Sequence, residues 1–327
     1  MKIMAREFWK HRAVLVTGAN GFIGAELCAE LAKRKALVTG MVHDASKQFN
    51  KALPLKERNF HYVRGSVADL ESTKNALRFS GAKTIFHLAA NPSPKVCEER
   101  PVEAYKTNVL GTLNVLEAAR TAKEKPEVIL ASSYYVYAKK RGRFSEEDAL
   151  GQETVYGTTK AIAEQIAESY GNSFGTRTAI ARFGAVFGKS LARNETLASR
   201  AISGILRGSE IELNAEDKKR DYVFLADAVN ALLLLGEKCR EKAVCGEAFN
   251  FTYGKPTAPS KLIEIIARIE GKNARTKKYR GAREYDMASD SSKARKVLGW
   301  KPAFKFEKAL KETIEWHREQ AARRKRI

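Results

Sequence analysis

The sequence predicts an α/β protein built on a doubly wound parallel sheet, with a smaller C-terminal lobe that would close over it. Three observations carry this. Short apolar runs alternate with amphipathic helix-length stretches through the first half of the chain, the pattern of a parallel sheet covered on both faces. A glycine-rich turn, Thr17-Gly18-Ala19-Asn20-Gly21-Phe22-Ile23-Gly24, stands between the first apolar run and the first helix. After about Gly184 the alternation loosens, as expected of a second lobe. The predicted division is residues 1–184 for a nucleotide-binding unit and 185–327 mainly for a substrate lobe, with some later segments returning to the first unit.

Ala13 to Val16 reads as a buried strand and Ala25 to Lys35 as a helix with Ile23, Leu27 and Leu31 on one face. Strand, glycine turn and helix together make a dinucleotide site of the Rossmann type. Gly18 permits the tight turn, Gly21 lets backbone approach a pyrophosphate, and Gly24 lets the helix pack on the strand. The helix N-terminus offers free N–H groups and partial positive charge to phosphates. Leu37 to Val42 reads as the second strand. An acid closing it would bind the adenine ribose and select NAD, and a base would suit NADP. Here Val42 closes the strand, followed by His43 and Asp44, so this stretch leaves NAD and NADP both open.

Phe60 to Arg64 and Thr84 to Ala90 are the third and fourth strands, and the small Ala89 and Ala90 would let backbone lie against a cofactor. His87, inside an apolar run, reads as a packed structural histidine. Pro101 to Arg120 reads as one long helix, and Val128 to Ala131 as the fifth strand, with Ser133 just past its carboxyl end. Open parallel sheets place ligands at that end. Tyr156 and Lys160 are four apart at the start of a helix and share a face. A cation beside a phenol favours its ionised form, which would tune Tyr156 for proton transfer. The remaining expected elements are a strand at Thr176–Phe183, a helix at Leu191–Arg207, a strand at Ile211–Leu213 and a helix at Asp227–Leu235. A strand at Ala248–Phe251 and helices at Pro259–Glu270, Ser291–Leu298 and Phe304–Trp316 follow.

Nearly the whole chain resembles the extended short-chain dehydrogenases/reductases of the NAD-dependent sugar-nucleotide epimerase/dehydratase type, including UDP-glucose 4-epimerases. The residues that carry the resemblance are the Thr17–Gly24 loop, Phe86-His87-Leu88-Ala89-Ala90, Asn108 with Gly111-Thr112, Ser132-Ser133, Tyr156 with Lys160, Arg220-Asp221-Tyr222, Asn250, and Leu298-Gly299-Trp300-Lys301-Pro302. The resemblance implies NAD or NADP held by Gly18, Asn20, Gly21, Phe22, Ile23, Gly24, His43, Asp44, Ser66, Val67, Leu88, Ala89, Ala90 and Asn108, together with Tyr156 and Lys160. It implies a nucleoside-diphosphate sugar as substrate. Ser133 and Tyr156 would act on a sugar hydroxyl, Lys160 would hold the nicotinamide ribose, Tyr134 would touch the sugar, and Arg220 would bind the diphosphate.

Four positions depart from the family pattern. Ser66 replaces an acid near the adenine, Ala185 replaces an asparagine near the phosphates, and Ala138 replaces a glycine. Tyr134 and Tyr135 stand where 4,6-dehydratases carry an acidic pair. The expected activity is therefore 4-epimerisation of a nucleotide sugar, with a 4,6-dehydratase or 4-ketosugar reductase as the alternative.

Composition bounds the rest. Of 327 residues 44% are hydrophobic, which fits a globular protein. No apolar run reaches membrane-spanning length, and Met1 to Arg12 lacks an apolar signal core. Cys28, Cys97, Cys239 and Cys245 form no CxxC pair, so a metal site is not expected and reduced thiols in a cytoplasmic protein are. A homodimer is expected. The net charge is +21, with a basic cluster at Arg318–Arg326 that reads as a frayed helix end or tail. That charge motivates a reading of a different class, a nucleic-acid-binding or cofactor-sensing protein on a retained fold. The Ser133, Tyr156 and Lys160 set argues against it.

Overall fold

The structure is a computed structural model and describes residues 7–43, 50, 52–189, 196–280 and 285–324. The first unit follows the alternation read from sequence. Strand β1 (Ala13–Thr17) leads to helix α1 (Phe22–Lys33), β2 (Leu37–Val42), β3 (Phe60–Arg64), α2 (Leu70–Ser80) and β4 (Thr84–His87). Next come α3 (Pro94–Glu99), α4 (Pro101–Tyr105), a π-helical turn (Lys106–Leu110), α5 (Gly111–Thr121) and β5 (Glu127–Ser133). A 3₁₀ turn (Tyr134–Val136) precedes α6 (Val155–Phe174) and β6 (Thr178–Phe183).

The sheet has seven parallel strands in the order β10-β6-β5-β4-β1-β2-β3, where β10 is Ala248–Phe251. Strand order reverses between β1 and β4, and the crevice at their carboxyl ends is where such sheets bind ligands. The period of two sorts side chains to the two faces. Val14, Val16, Phe86 and Ile129 join one apolar cluster, with α1 and α8 (Leu225–Lys238). Leu15, Ile85, Val128 and Leu130 join the other, with α2, α5 and α6.

The later chain forms two small parallel sheets, β7 (Ala185–Phe187) with β9 (Tyr222–Phe224), and β8 (Glu210–Asn214) with β11 (Arg275–Tyr279). Helices α7 (Leu197–Arg207), α9 (Pro259–Glu270) and α10 (Phe306–Arg324) pack with them around Phe187, Ile202, Ile211, Leu262 and Leu310. Trp300 returns to the first unit, where its indole N–H donates to the Asp227 carbonyl and its ring meets Phe251.

Several expected boundaries shift. Helix α1 begins three residues early, at Phe22, because Gly21 serves as its cap. The fourth strand ends at His87, since Leu88 and Ala89 leave the ladder to cross the end of β1. The long helix expected at Pro101–Arg120 is interrupted by the Lys106–Leu110 π turn, which carries Asn108. Helix α10 runs to Arg324, so Arg318 lies in a helix and pairs with Glu270 rather than in a loose tail. Asp44 and part of the helix expected from Leu191 lie outside the described residues.

Candidate active site

The cofactor-side cradle is backbone. Gly18 has φ +68°, and a Cβ there would stand 2.7 Å from the Ala89 nitrogen. Only glycine lets the turn after β1 pass so close to the chain leaving β4. Gly21 N–H donates to the Gly18 carbonyl at 2.9 Å, and Gly24 meets that same carbonyl as α1 packs down. The first turn of α1 carries no acid, and no side chain caps it, whereas α2, α3, α6 and α7 are capped by Asp69, Ser93, Thr154 and Thr196. An uncapped helix N-terminus beside a glycine turn fits a pyrophosphate.

The remaining expected cofactor residues are distributed around this cradle. Asn20 accepts from the Asn50 N–H at 2.6 Å, which ties the loop after β2 to the glycine turn. Phe22 and Ile23 are half-buried against the core beneath it. His43 is exposed at the end of β2. The Ser66 hydroxyl accepts from the Ala68 N–H at 3.2 Å, and the Val67 carbonyl accepts from Asn114 at 2.8 Å. Asn108 is buried, accepts from the Asn91 N–H at 2.7 Å and donates to Thr159 at 2.9 Å. It thereby joins the chain after Leu88, Ala89 and Ala90 to the helix that carries Tyr156.

Ser133, Tyr156 and Lys160 converge at the end of β5. The Ser133 hydroxyl lies beside the Tyr156 phenol and accepts from the Tyr135 N–H at 3.3 Å. Ser133 is the last residue of β5 rather than the residue after it. Gly157 leaves room for the Tyr135 carbonyl, so the 3₁₀ turn lies directly on the first turn of α6. Lys160 Nζ donates to the Ala131 carbonyl at 2.8 Å.

The electrostatics of this set differ from the sequence expectation. Tyr156 is only 8% exposed, and burial pushes its phenol above the usual tyrosine value, opposed by the neighbouring Ser133 hydroxyl. The expected lowering by Lys160 is thus reversed in sign, because losing water disfavours a phenolate. Burial instead pulls Lys160 down to about 8, opposed by the negative charge of Glu164. His87 is buried between the Thr17 and Thr112 hydroxyls, at 2.8 and 3.1 Å. Burial holds it neutral, pulled down to about 3, and the Lys160 charge adds to this.

Arg220 is 8% exposed, and its backbone is bonded to Thr257 in both directions. Its guanidinium donates to the Tyr285 carbonyl at 2.8 Å. A simple surface pair with Asp217 or Asp221 does not describe it. Asp217 accepts from Ser260 at the start of α9, and Asp221 accepts from the Gly254 N–H. The Arg220 charge acts on Tyr134, Tyr222 and Tyr285. Tyr134 is buried and meets Tyr135 edge-on at 5.1 Å, and Tyr135 meets Tyr156 at 5.8 Å. Aromatic rings therefore connect the Tyr156 phenol to the arginine.

Sequence reasoning missed several supporting groups. Thr17 joins His87 to the Ala89 N–H. Asn91 and Cys97 lie beside Asn108 and Lys160. Glu164 and Arg182 form a buried ion pair behind Ser133. The available signal was Glu164 at four residues past Lys160, on the same helix face. Among the described residues no cluster of acids, histidines or cysteines could hold a metal.

A family model described as NAD dependent epimerase/dehydratase family matches residues 14–251. The UDP-glucuronate 4-epimerase of Thermodesulfobacterium geofontis is 27% identical, covering 93% of this chain and 96% of that protein. The crystal structure of UDP-glucose 4-epimerase from Thermotoga maritima with UDP-glucose superposes with a TM-score of 0.85 at 27% identity, covering 94% of this chain and 99% of that one. The Thermus thermophilus UDP-glucose 4-epimerase complex with NAD gives 0.82 at 25% identity, with coverage of 93% and 98%.

Proposed function

The chain belongs to the NAD dependent epimerase/dehydratase family, and from that premise we propose that it is a nucleotide-sugar 4-epimerase acting on a UDP-sugar with bound NAD. The observation that carries this is the convergence of the Ser133 hydroxyl and the Tyr156 phenol at the carboxyl end of β5, with Lys160 one helical turn away.

The residues present fit the cofactor: the glycine turn and the uncapped α1 terminus suit a pyrophosphate, and Lys160 suits the nicotinamide ribose. NAD, when bound, supplies a two-electron acceptor that takes hydride from the sugar C4 and returns it. Tyr156, as the phenolate, takes the proton of the C4 hydroxyl and returns it to that same oxygen once C4 of the rotated keto sugar has been reduced from its opposite face. The positive charges of Lys160 and of the bound oxidised cofactor would favour that phenolate. Ser133 holds the same oxygen through its hydroxyl. Arg220 pairs with the diphosphate, which a guanidinium matches in bidentate fashion. Tyr134 and Tyr135 line the sugar side and bring no carboxyl group, which disfavours the dehydratase alternative.

We also infer a homodimer and a cytoplasmic setting. Val102, Tyr105 and Leu110 expose apolar surface along one helical stretch, which a second copy would cover. Four free cysteines suit a reducing compartment. Light scattering tests the first inference and fractionation the second.

The test of the reaction is direct. Mass spectrometry of the denatured protein identifies the copurified dinucleotide. Incubation with UDP-glucose and, separately, UDP-glucuronate is followed by NMR for the C4 epimer. Epimer formation with NAD present supports the reading. No epimer from either substrate, with NAD bound and the protein folded, refutes it for both sugars.

A further inference from the structure

Behind the proton-transfer set lies a buried ion pair that the reaction scheme leaves without a role. Glu164 is 3% exposed, on the face of α6 that carries Lys160. Residues four apart on a helix are neighbours. Its carboxylate accepts from Arg182 Nε at 3.0 Å and from Arg182 Nη2 at 2.7 Å. It also accepts from the Ser132 hydroxyl. Ser132 adjoins Ser133 on β5, and Arg182 lies opposite Ser132 on β6. One carboxylate therefore ties two strands of the sheet to the helix that presents Tyr156 and Lys160.

We propose that Glu164 is a positioning residue of the active site: fixed by Arg182 and Ser132, it keeps the buried Lys160 ammonium charged and locks the Ser133 strand against the Tyr156 helix. This rests on the reading of Lys160 as the cation beside the nicotinamide ribose.

The case is electrostatic as well as geometric. An ammonium taken out of water loses hydration and tends to shed its proton. Lys160 has a single carbonyl, that of Ala131, as its described hydrogen-bond partner. The charged and titratable groups facing it come from every element around it. They are His87 from β4, Cys97 from α3, Tyr156 and Glu164 from α6, and the Arg182 guanidinium from β6, bound to Glu164. His87 is neutral, and burial keeps Cys97 as a thiol, pushed up to about 11. In the cofactor-free protein burial favours Tyr156 as a phenol. Glu164 is thus the one fixed anion in this set. A carboxylate serving only as a structural clamp would stabilise the fold and leave the Lys160 titration where it is.

The experiment compares Glu164→Gln, Arg182→Met and the double variant, with melting temperature recorded for each. Removing one partner of a buried pair is strongly destabilising, whereas the double variant leaves no orphan charge. The first readout is the ¹³Cε titration of Lys160 in cofactor-free protein, its resonance assigned with Lys160→Met. The second is the high-pH limb of the turnover profile. Glu164→Gln lowers both by about one pH unit. Arg182→Met raises both, because the carboxylate is then uncompensated. The double variant moves them down by less than Glu164→Gln does. If neither Glu164→Gln nor the double variant lowers the Lys160 titration, or if Arg182→Met shifts it in the same direction as Glu164→Gln, the proposal is overturned. Titration shifts of the expected signs in a protein that epimerises nothing support the role of Glu164 and count only against the assigned reaction.

Discussion

Replacing Tyr156 by phenylalanine removes one oxygen from the centre of the site, and the structure separates its catalytic cost from its structural cost. The ring packs with Cys97, Ala104 and Tyr135, and all of those contacts survive in phenylalanine. What is lost is the hydroxyl beside Ser133, and with it at most one hydrogen bond. Ser133 is not orphaned, since its hydroxyl still accepts from the Tyr135 N–H. One net hydrogen bond is worth about 1 kcal/mol. In a chain of this size that moves the melting temperature by roughly 1–2 °C. A general acid/base contributes about 10²–10⁴-fold, equivalent to about 3–5 kcal/mol on the barrier. Activity should therefore fall by that factor while the fold barely changes. The assay is NMR-followed conversion of the UDP-sugar by wild type and variant at matched NAD occupancy, beside a thermal melt. Turnover within about threefold of wild type would show that Tyr156 transfers no proton, since the acid/base factor it must supply is far larger. A melting temperature lowered by far more than the ~1–2 °C expected from one hydrogen bond would show that the lost rate reports damage to the fold.

Three further outcomes are expected. Arg220→Ala raises KM for the nucleotide sugar far more than truncation after Gln320 does, because Arg220 is buried beside the tyrosines whereas Ala321 and Ala322 are exposed; equal effects on KM would assign substrate recruitment to the general +21 field. His87 titrates near 3 in the folded protein against 6.5 unfolded, so the unfolded state binds more protons between those values and stability falls as pH drops through that window. The loss is at most about 4–5 kcal/mol, and denaturant melts of His87→Gln across that range should show a flatter pH slope than wild type; parallel slopes would mean that His87 contributes nothing to acid lability. Incubation with UDP-glucose, CDP-glucose, dTDP-glucose or GDP-mannose should yield no 4-keto-6-deoxy sugar, since Tyr134 and Tyr135 offer no carboxyl group for the C5 and C6 proton transfers; efficient formation of that product from any of the four would reassign the enzyme as a dehydratase.

The parts of this protein legible in its sequence are those whose chemistry is local. Val14 to Gly24 announces a strand, a turn and a helix, because glycine spacing and apolar periodicity act over a few residues. Leu37–Val42, Phe60–Arg64, Ala248–Phe251 and Pro259–Glu270 fall where their patterns place them. Tyr156 and Lys160 were visible as a pair because four residues make one helical turn. Helix Leu70–Ser80 was passed over in the sequence reading. Strand Arg275–Tyr279 was passed over too, because all five of its side chains are exposed and it shows no alternation. The end of β4 was drawn too long, since nothing in Leu88-Ala89-Ala90 says that backbone must swing across Gly18. Only tertiary structure joined Ser132, Glu164 and Arg182, which lie 18 and 32 residues apart across two strands and a helix. It also decided the proton affinities at the site. The sequence placed a cation beside a phenol, and that alone argues for a more acidic tyrosine. Burial of both groups between α6, which carries them, and the end of β5 with its 3₁₀ turn removes the water that would stabilise either charge, and it drives Tyr156 up and Lys160 down. Side-chain type and spacing are properties of the chain, whereas solvation is a property of the packed fold.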